Sequence, residues 1–417
     1  MLDIQFIRDN PEKVKKGVSA KQLEPKLVDK VLELDKRRRH LILEVEDLRA
    51  RRNEIAKKKP FDSAQGKKVK VELQKKEPGL KKVEEEYKQA LYKVPNLAAN
   101  DVLVGKNESD NKVLRKWGEP KKFDFKPKDH LDLGEALDII DVKRAAKVSG
   151  TRFGYLKGDA VLLEFALIQF ALETLTKKGF TPIIPPVLIK KESMSGMGYL
   201  EHGGEEDMYV LEKDNLVLVG TSEQSIGPMH QGETFSSKDL PKRYVAFSPC
   251  FRREAGSYGK DTRGILRVHQ FDKVEMFSYT RPDDSEKEHK YLLELEEKLF
   301  KALEIPYQVV KMCTGDLGAP AASKIDLEAW MPGQNKYREV TSASNTTDFQ
   351  ARRLNIKYQG KGLPAGRQGK TEYVHTLNGT AFAIGRTIIA ILENYQQKDG
   401  SVIVPKMLQK WVGKEKI

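Results

Sequence analysis

The first hundred residues carry two long stripes of apolar residues that recur at alternating spacings of four and three. The first stripe is Leu27, Val31, Leu34, Leu41, Val45, Leu48 and Ile55, with Arg38 and Arg52 in its two remaining positions. The second is Val69, Leu73, Leu80, Val83, Tyr87, Ala90 and Val94, with Lys76 as the exception. This spacing is typical of coiled coils. Because residues 60–66 hold turn-forming Pro and Gly, the pattern predicts an antiparallel helical hairpin over about 27–94.

The predicted hairpin has two further features. Pro78 and Gly79 interrupt the second stripe, and an interior Pro costs a helix about 3 kcal/mol, which predicts a kink or local break there. Residues 26–94 also hold 21 Lys and Arg against 13 Asp and Glu, a net charge of +8. Such a hairpin serves either as a dimerisation coil or as an arm that binds a phosphate backbone. The pattern alone leaves both open.

Beyond residue 128 the pattern changes to mixed helices and strands. Apolar periodicity predicts helices at about 131–147 and 160–178, the second of which is apolar on most sides and therefore buried. Strand-like runs follow at 181–184, 216–219, 244–252, 265–277, 307–310, 325–330 and 337–342. Hairpin-type or irregular loops connect several of them, which favours a mostly antiparallel sheet. The Gly-rich segment 360–371 is predicted to be a flexible loop.

Charged residues on two neighbouring strands predict one chemically active sheet face. Alternate residues of a strand share a face, so Arg252 and Glu254 should point the same way, as should Arg267, Phe271 and Glu275. Guanidinium groups bind phosphates, an aromatic ring stacks on a purine, and a carboxylate binds an ammonium group or Mg²⁺. This set suits ATP together with an amino acid. The alternative is a cross-strand ladder of ion pairs, which contributes little to stability.

Three further segments place polar groups at the ends of predicted elements. Thr221 and Glu223 follow the strand LVLVG, and Glu339 and Ser342 come at the end of another strand. Oxygen ligands of this kind suit Mg²⁺, although surface turns have the same composition. Arg386 falls in the first turn of a helix predicted to begin near residue 385, where its charge opposes the helix dipole unless an anion is bound.

Composition narrows the classes of function. The 417-residue chain has a net charge of +13 and a pI near 9.3, which favours a polyanionic partner. Cys250 and Cys313 are its two cysteines, so neither a disulfide framework nor a cysteine-rich zinc site is expected. The sequence has no run of 18 apolar residues, and its first residues lack the apolar core of a signal peptide. We therefore expect a cytoplasmic protein with no membrane partner.

Taken together, these segments resemble the signature motifs of class II aminoacyl-tRNA synthetases, and the match to the bacterial type of seryl-tRNA synthetase is close. It extends over nearly the whole chain through MLDIQFIRDNP, VGKNESDN, GFTPIIPPVL, SPCFRREAG, DTRGILRVHQF, CTGDLGAPAA, DFQARRLNIKY and HTLNGT. The resemblance implies an α+β fold, with an antiparallel catalytic sheet flanked by helices at 111–417 and an N-terminal tRNA-binding domain, including the hairpin arm, at 1–110. It also implies a homodimer, since in such enzymes the arm of one subunit serves tRNA bound at the other's site.

The implied activity is that of a serine–tRNA ligase, which forms seryl-adenylate from L-serine and ATP and transfers the seryl group to tRNA(Ser), with tRNA(Sec) left open as a second acceptor. The resemblance implies Mg²⁺ and no zinc. The residues it implies for serine binding are Thr221, Ser222, Glu223, Glu275, Asn378 and Thr380. Those implied for ATP are Arg252, Arg253, Glu254, Arg267, Phe271, Glu339, Val340, Thr341, Ser342 and Arg386, with Glu339 and Ser342 also as Mg²⁺ ligands.

The resemblance also implies individual roles. Arg252 would hold the α-phosphate and the serine carboxylate, while Arg267 and Arg386 would hold the outer phosphates; these three are the implied catalytic residues. Phe271 would stack on adenine, and Glu254 would position the adenine amino group or a metal. Two alternatives remain. A serine-activating ligase for a carrier protein is expected to lack the basic hairpin, and an inactive tRNA-binding relative is expected to lack motif residues that are present here.

Overall fold

The computed structural model describes residues 1–58, 64–256, 259, 261, 263–360 and 371–417. Most of the predicted turn at 60–66 and of the predicted flexible loop at 360–371 lies outside these residues. The chain divides into two compact units, Met1–Leu97 and Ala98–Ile417. The boundary between a tRNA-binding and a catalytic domain at residue 110 stays a prediction.

Helices and strands alternate irregularly along the described residues. The helices are α1 (Ile4–Asp9), α2 (Pro11–Ala20), α3 (Lys26–Lys58), α4 (Ala64–Tyr92), α5 (His130–Ala136), α6 (Val142–Ser149), α7 (Asp159–Thr176), α8 (Lys191–Met197), α9 (Glu223–Ile226), α10 (Ser285–Ala302), α11 (Phe349–Leu354), α12 (Ile384–Tyr395) and α13 (Gln409–Val412). The strands are β1 (Lys112–Trp117), β2 (Ile140–Asp141), β3 (Tyr155–Leu156), β4 (Thr181–Ile183), β5 (Leu188–Lys190), β6 (Val210–Leu211), β7 (Leu216–Leu218), β8 (Thr234–Phe235), β9 (Lys242–Phe251), β10 (Gln270–Thr280), β11 (Tyr307–Lys311), β12 (Ser323–Met331), β13 (Lys336–Asn345), β14 (Lys357–Gln359), β15 (Thr371–Tyr373) and β16 (His375–Ala383).

The first unit is built around a helical hairpin. Helices α3 and α4 pack against each other, and residues of the two predicted stripes meet between them, where Val45, Leu48 and Leu73 form one buried cluster. Charged side chains also pair between the two helices. For example, Lys76 Nζ of α4 lies 2.7 Å from Glu44 Oε1 of α3. The predicted hairpin is confirmed, because a 4,3 spacing of apolar residues gives each helix one continuous face to bury.

Pro78 lies inside α4, and the helix continues through it from Ala64 to Tyr92. Of the predicted kink or local break, the break is therefore wrong, and the kink stays a prediction. Pro78 cannot donate to the helix ladder, but Leu73 and Val83 are buried on either side of it. Their packing stabilises the helix against the loss of one backbone hydrogen bond.

The second unit is built on a large antiparallel sheet. Among the described residues eight strands pair in the order β1-β11-β12-β13-β16-β10-β9-β4, antiparallel throughout except for β4 with β9. Helices α7, α10 and α12 pack against one face of this sheet. Their apolar side chains form the main core with alternate strand residues such as Val274 and Met276. The predicted α+β class is confirmed.

Several predicted elements differ from the structure in their bounds, and three of them matter for the core or the site. The helix predicted at 131–147 is two helices, because Asp138 adopts a left-handed conformation (φ 54°) and the Asp141 side chain caps a new helix start by accepting from the Arg144 N–H. The strand predicted at 265–277 runs instead from Gln270 to Thr280. The strand predicted at 244–252 ends at Phe251.

Candidate active site

A cavity of about 370 Å³ lies on the sheet face opposite the core helices. Alternation along β10 explains this placement, because Phe271, Lys273 and Glu275 line the cavity while Val274 and Met276 join the core. The sequence-predicted site residues on its wall are Thr221, Glu223, Arg252, Glu254, Arg267, Phe271, Glu275, Glu339, Val340, Thr341, Ser342, Asn378, Thr380 and Arg386. Residues far apart in the chain therefore converge on one site.

Two predicted residues lie away from the cavity wall. Ser222 is fully buried and immediately precedes α9. Arg253 points to a neighbouring segment, where its Nε donates to the Met208 carbonyl at 2.7 Å and its guanidinium lies 4.9 Å from the centroid of the Tyr209 ring. The structure thus separates Arg253 from the adjacent Arg252.

A β-bulge in β13 determines which of its residues face the cavity. The pairing of β13 with β12 skips Val340, which is an extra residue on β13. Glu339 and Ser342 are three positions apart, so in a regular strand they would point to opposite faces, and the extra residue restores them to the same face. The prediction that they end a strand is wrong, because both lie within β13.

Arg252, Glu254 and Arg267 reach the cavity from irregular segments. β9 ends just before Arg252, Glu254 has a left-handed backbone (φ 54°), and Arg267 precedes β10 by three residues. The strand alternation from which their shared faces were predicted therefore does not apply to these three residues, so the assumed geometry is wrong. The cavity nevertheless collects all three, since the two segments lie beside each other, with the Arg252 N–H donating to the His269 carbonyl at 2.9 Å.

The guanidinium groups of these segments are fixed by specific contacts. Arg252 Nε donates to the Gly220 carbonyl at 3.1 Å, and its guanidinium lies 5.3 Å from the centroid of the Phe271 ring. Arg267 Nη1 donates to Glu254 Oε2 at 2.7 Å. Desolvation lowers the pKa of Arg267, but this bond and the Glu254 charge outweigh it and raise the pKa above its usual value.

Arg386 lies in the first turn of α12, as predicted, and faces β13. Its Nη1 donates to the Glu339 carbonyl at 3.0 Å and lies 3.3 Å from Glu339 Oε2. Desolvation opposes ionisation of Glu339, but the side chain is 45% exposed, and the charges of Arg386, Lys324 and Arg252 lower the pKa of its carboxyl to about 2. A cation at this helix start is thus compensated by a carboxylate.

Another part of the cavity is acidic. Glu223 and Glu275 are 3% and 1% exposed, and Lys273 Nζ lies 2.7 Å from Glu275 Oε2. Thr380 Oγ1 donates to the same Glu275 oxygen at 3.0 Å, and the Tyr199 hydroxyl donates to Glu223 Oε1. We call Glu223, Glu275, Lys273, Thr380 and Tyr199 the acidic niche. Its two carboxyl groups face one ammonium group, a composition that suits a small cationic ligand.

The niche perturbs the titration of its own groups. Burial and then repulsion from Glu275 raise the pKa of Glu223 to about 7, against the opposing charge of Lys273. Burial and the Glu223 charge raise the pKa of the Tyr199 phenol well above its usual value, so the phenol stays a donor. An added cation beside Glu223 would favour its ionised form.

Sequence reasoning missed Lys273, Tyr199 and Lys324, which all line the cavity. Lys273 is two residues from Glu275 on β10, so the alternation of side chains along the strand was a usable signal for it.

Lys324 Nζ lies 3.2 Å from Asp326 Oδ2. Desolvation lowers the pKa of Lys324, but the charges of Asp326 and Glu339 outweigh it and raise the pKa above its usual value. No local pattern marks Tyr199 or Lys324.

The described residues also bear on metal and membrane binding. None of their His, Cys, Asp and Glu side chains gather in groups of three or more that could hold a metal ion. No helix among them is both long enough and apolar enough to cross a membrane. Any cation in the cavity would therefore need oxygen ligands from other groups as well.

Comparison with known proteins establishes the family. Residues 1–98 match the seryl-tRNA synthetase N-terminal domain, and residues 209–395 match the tRNA synthetase class II core domain (G, H, P, S and T). The serine–tRNA ligase of Dictyoglomus turgidum is 47% identical over 425 residues, which cover 99% of this chain and 98% of that protein. The chain belongs to the seryl-tRNA synthetase family.

Solved structures of seryl-tRNA synthetases agree with this conclusion. The Pyrococcus horikoshii enzyme complexed with ATP has a TM-score of 0.91 and 44% identity, covering 100% of this chain and 99% of its own. The cytoplasmic serine–tRNA ligase of Naegleria fowleri in complex with AMP has a TM-score of 0.88 and 36% identity, covering 100% and 98%. The resemblance predicted from the sequence and the class II fold are confirmed, and membership of the seryl-tRNA synthetase family makes this chain an aminoacyl-tRNA ligase.

Proposed function

We propose that the cavity activates L-serine with ATP and that the chain then transfers the seryl group to tRNA. The observation that carries this proposal is the convergence of Arg252, Arg267 and Arg386 with the acidic niche in one cavity. Three guanidinium groups suit a triphosphate, and two buried carboxyl groups suit the ammonium group of an amino acid. The family relatives support the same substrates.

Serine would bind in the acidic niche. Its ammonium group would lie against Glu223 and Glu275, which are nearly inaccessible to solvent. Thr221 Oγ1 is buried on the cavity wall and has no hydrogen-bond partner within the described part of the chain, so it offers a contact for the serine hydroxyl. Alanine would leave such a group unsatisfied, which is a strong basis for rejecting it.

ATP would occupy the arginine-rich part of the cavity. We assign the α-phosphate and the serine carboxylate to Arg252, the outer phosphates to Arg267 and Arg386, and the adenine ring to Phe271. The serine carboxylate attacks the α-phosphorus, the bond to the bridging oxygen breaks, and pyrophosphate leaves with that electron pair. The chain needs no nucleophile of its own, because positioning and charge neutralisation lower the barrier.

Glu339 and Ser342 fit a Mg²⁺ ion, and we propose that they hold it. The β-bulge at Val340 places both on the cavity wall, and the pKa of about 2 keeps Glu339 ionised at neutral pH. When bound, Mg²⁺ supplies neutralisation of phosphate charge. It usually keeps waters and phosphate oxygens as its other ligands, so two protein ligands are enough.

The second step would use the hairpin as a tRNA-binding arm. Its net charge of +8 suits the phosphate backbone, and we propose tRNA(Ser) as the acceptor, with tRNA(Sec) open. We also propose a homodimer. The family membership of the chain supports this proposal.

Serine-dependent exchange of pyrophosphate into ATP tests the first step. We expect exchange with serine, with or without tRNA, and little with alanine or threonine. Arg252→Ala should abolish exchange, whereas Arg281→Ala should not, because Arg281 pairs with Asp284 outside the cavity lining. Strong exchange with threonine in place of serine would contradict the serine assignment. Exchange retained in the Arg252 variant would contradict the role of Arg252.

A further inference from the structure

We infer that His130 is a positioning residue for Arg267, held by Glu393 and acting through the backbone of Ile265. The inference rests on the proposed function, since the position of Arg267 matters for catalysis only if the cavity binds ATP. The sequence did not single out His130, Glu393 or Ile265 as functional. His130 and Glu393 also lie outside the cavity lining.

Glu393 fixes the histidine at two points. Both side chains are buried, with His130 5% and Glu393 0% exposed. The His130 backbone N–H donates to Glu393 Oε1 at 3.1 Å, and His130 Nδ1 lies 3.4 Å from the same oxygen. The other oxygen of Glu393 accepts from the Gly333 N–H at 2.9 Å. The carboxyl group thus holds the imidazole in one orientation.

The far side of the imidazole holds the segment that carries Arg267. His130 Nε2 accepts a hydrogen bond from the Ile265 N–H at 3.2 Å. Since Nε2 accepts, the ring proton lies on Nδ1, next to Glu393. Gly264 packs directly on the ring with φ +75°, and a Cβ added there would lie 2.0 Å from His130 Nε2. The backbone two residues before Arg267 therefore depends on this histidine.

A second tie connects the same segment to α12. Arg386 Nε donates to the Leu266 carbonyl at 3.4 Å. Arg386 and Glu393 both belong to α12, seven residues or about two turns apart. One helix therefore holds consecutive residues before Arg267, directly through Arg386 and indirectly through Glu393 and His130. This couples the two arginines that we assign to the outer phosphates.

The segment needs such ties because it precedes β10 and has no strand ladder of its own. Ile265 is 6% exposed, so its N–H requires a protein acceptor, and His130 supplies it. Without that acceptor the backbone would shift to find another partner. The shift would move Arg267 relative to Arg386 and to any phosphate between them.

The test compares His130→Phe, which removes the acceptor and keeps a ring, with His130→Gln, which can place an oxygen near the position of Nε2. In pyrophosphate exchange we expect Phe to raise the KM for ATP roughly tenfold, the cost of one unsatisfied buried donor, and to change the KM for serine less than about twofold. Gln should restore most of the ATP KM. The control is His230→Phe, because His230 is also hydrogen-bonded on both ring nitrogens but lies away from the cavity. It should leave both KM values unchanged.

Three results would overturn the inference: an unchanged ATP KM in His130→Phe, a parallel rise of both KM values that follows a loss of thermal stability, or a Gln variant no better than Phe. If the Phe variant does not fold, His130→Leu, which also removes the acceptor but has a smaller side chain, decides by the same ATP-selective criterion. A wild-type enzyme that shows no serine-dependent exchange would instead sink the proposed function, so the two failures are distinguishable.

Discussion

Serine binding should weaken about tenfold between pH 8 and pH 6, because it requires the ionised form of Glu223. In the substrate-free protein the pKa of this carboxyl is raised to about 7 by burial and by repulsion from Glu275. A serine ammonium group beside it would lower that pKa, typically by 1–3 units. Binding therefore selects the carboxylate, and protonation competes with serine.

The magnitude follows from the fraction of Glu223 that is ionised. With a pKa of about 7, roughly nine-tenths of the molecules carry the carboxylate at pH 8 and about one-tenth carry it at pH 6. The apparent dissociation constant scales with the inverse of this fraction, which gives the tenfold change. Near pH 7, binding should release about half a proton per serine.

Isothermal titration calorimetry of serine, in pairs of buffers with different ionisation enthalpies, measures both quantities. Glu223→Gln should bind serine more weakly and lose the pH dependence. Glu135→Gln is the matched control, because Glu135 pairs with Lys143 away from the cavity lining and should leave the pH dependence intact. A serine affinity that is flat between pH 6 and pH 8, or a slope that survives in Glu223→Gln, would refute the reasoning.

Three other outcomes are expected. Because the folded protein raises the pKa of Glu223, wild type loses stability as the pH rises from the usual carboxyl pKa to the raised value of about 7. Glu223→Gln should therefore be more stable than wild type at pH 8, by up to about 3 kcal/mol in denaturant unfolding, and equally stable at pH 4. Equal stability of the two proteins at pH 8 would argue against this reasoning. Glu339→Gln should raise the Mg²⁺ concentration for half-maximal exchange several-fold, and an unchanged Mg²⁺ dependence would remove Glu339 as a ligand. Lys75→Glu with Lys82→Glu, both exposed on α4, should weaken tRNA binding and reduce its salt dependence while leaving exchange intact; unchanged binding would argue against an arm contact on this face.

Features governed by local periodicity could be predicted from the sequence. The hairpin followed from the 4,3 spacing through Val45 and Leu73, since each helix needs only its own apolar face to be recognised. The antiparallel sheet followed from short apolar runs joined by irregular loops. The convergence of Arg252, Phe271 and Glu275 was also correct, although for Arg252 the assumed strand geometry was not.

Features governed by single backbone positions or by long-range pairing could not be predicted from the sequence. The left-handed backbone of Glu254 and the extra residue Val340 each change which side chains share a face, and neither leaves a periodic trace. Tyr199 belongs to the acidic niche only because the fold brings it to Glu223, 24 residues along the chain. Sequence alone marks a buried polar group poorly, since its partner is chosen by the tertiary structure.

Several charges of the cavity are already paired with one another, and this helps to explain how such a site can be stable before substrates bind. Arg267 contacts Glu254, Arg386 contacts Glu339, and Lys273 contacts Glu275. An isolated buried charge would be costly, whereas these pairs offset much of the desolvation. When ATP binds, its phosphates would replace the carboxylates of Glu254 and Glu339 as the anionic partners of Arg267 and Arg386. Burial and repulsion from Glu275 raise the pKa of Glu223, and within the described residues no cation lies as close to it as in these pairs. Glu223 is therefore the group whose charge the serine ammonium would balance.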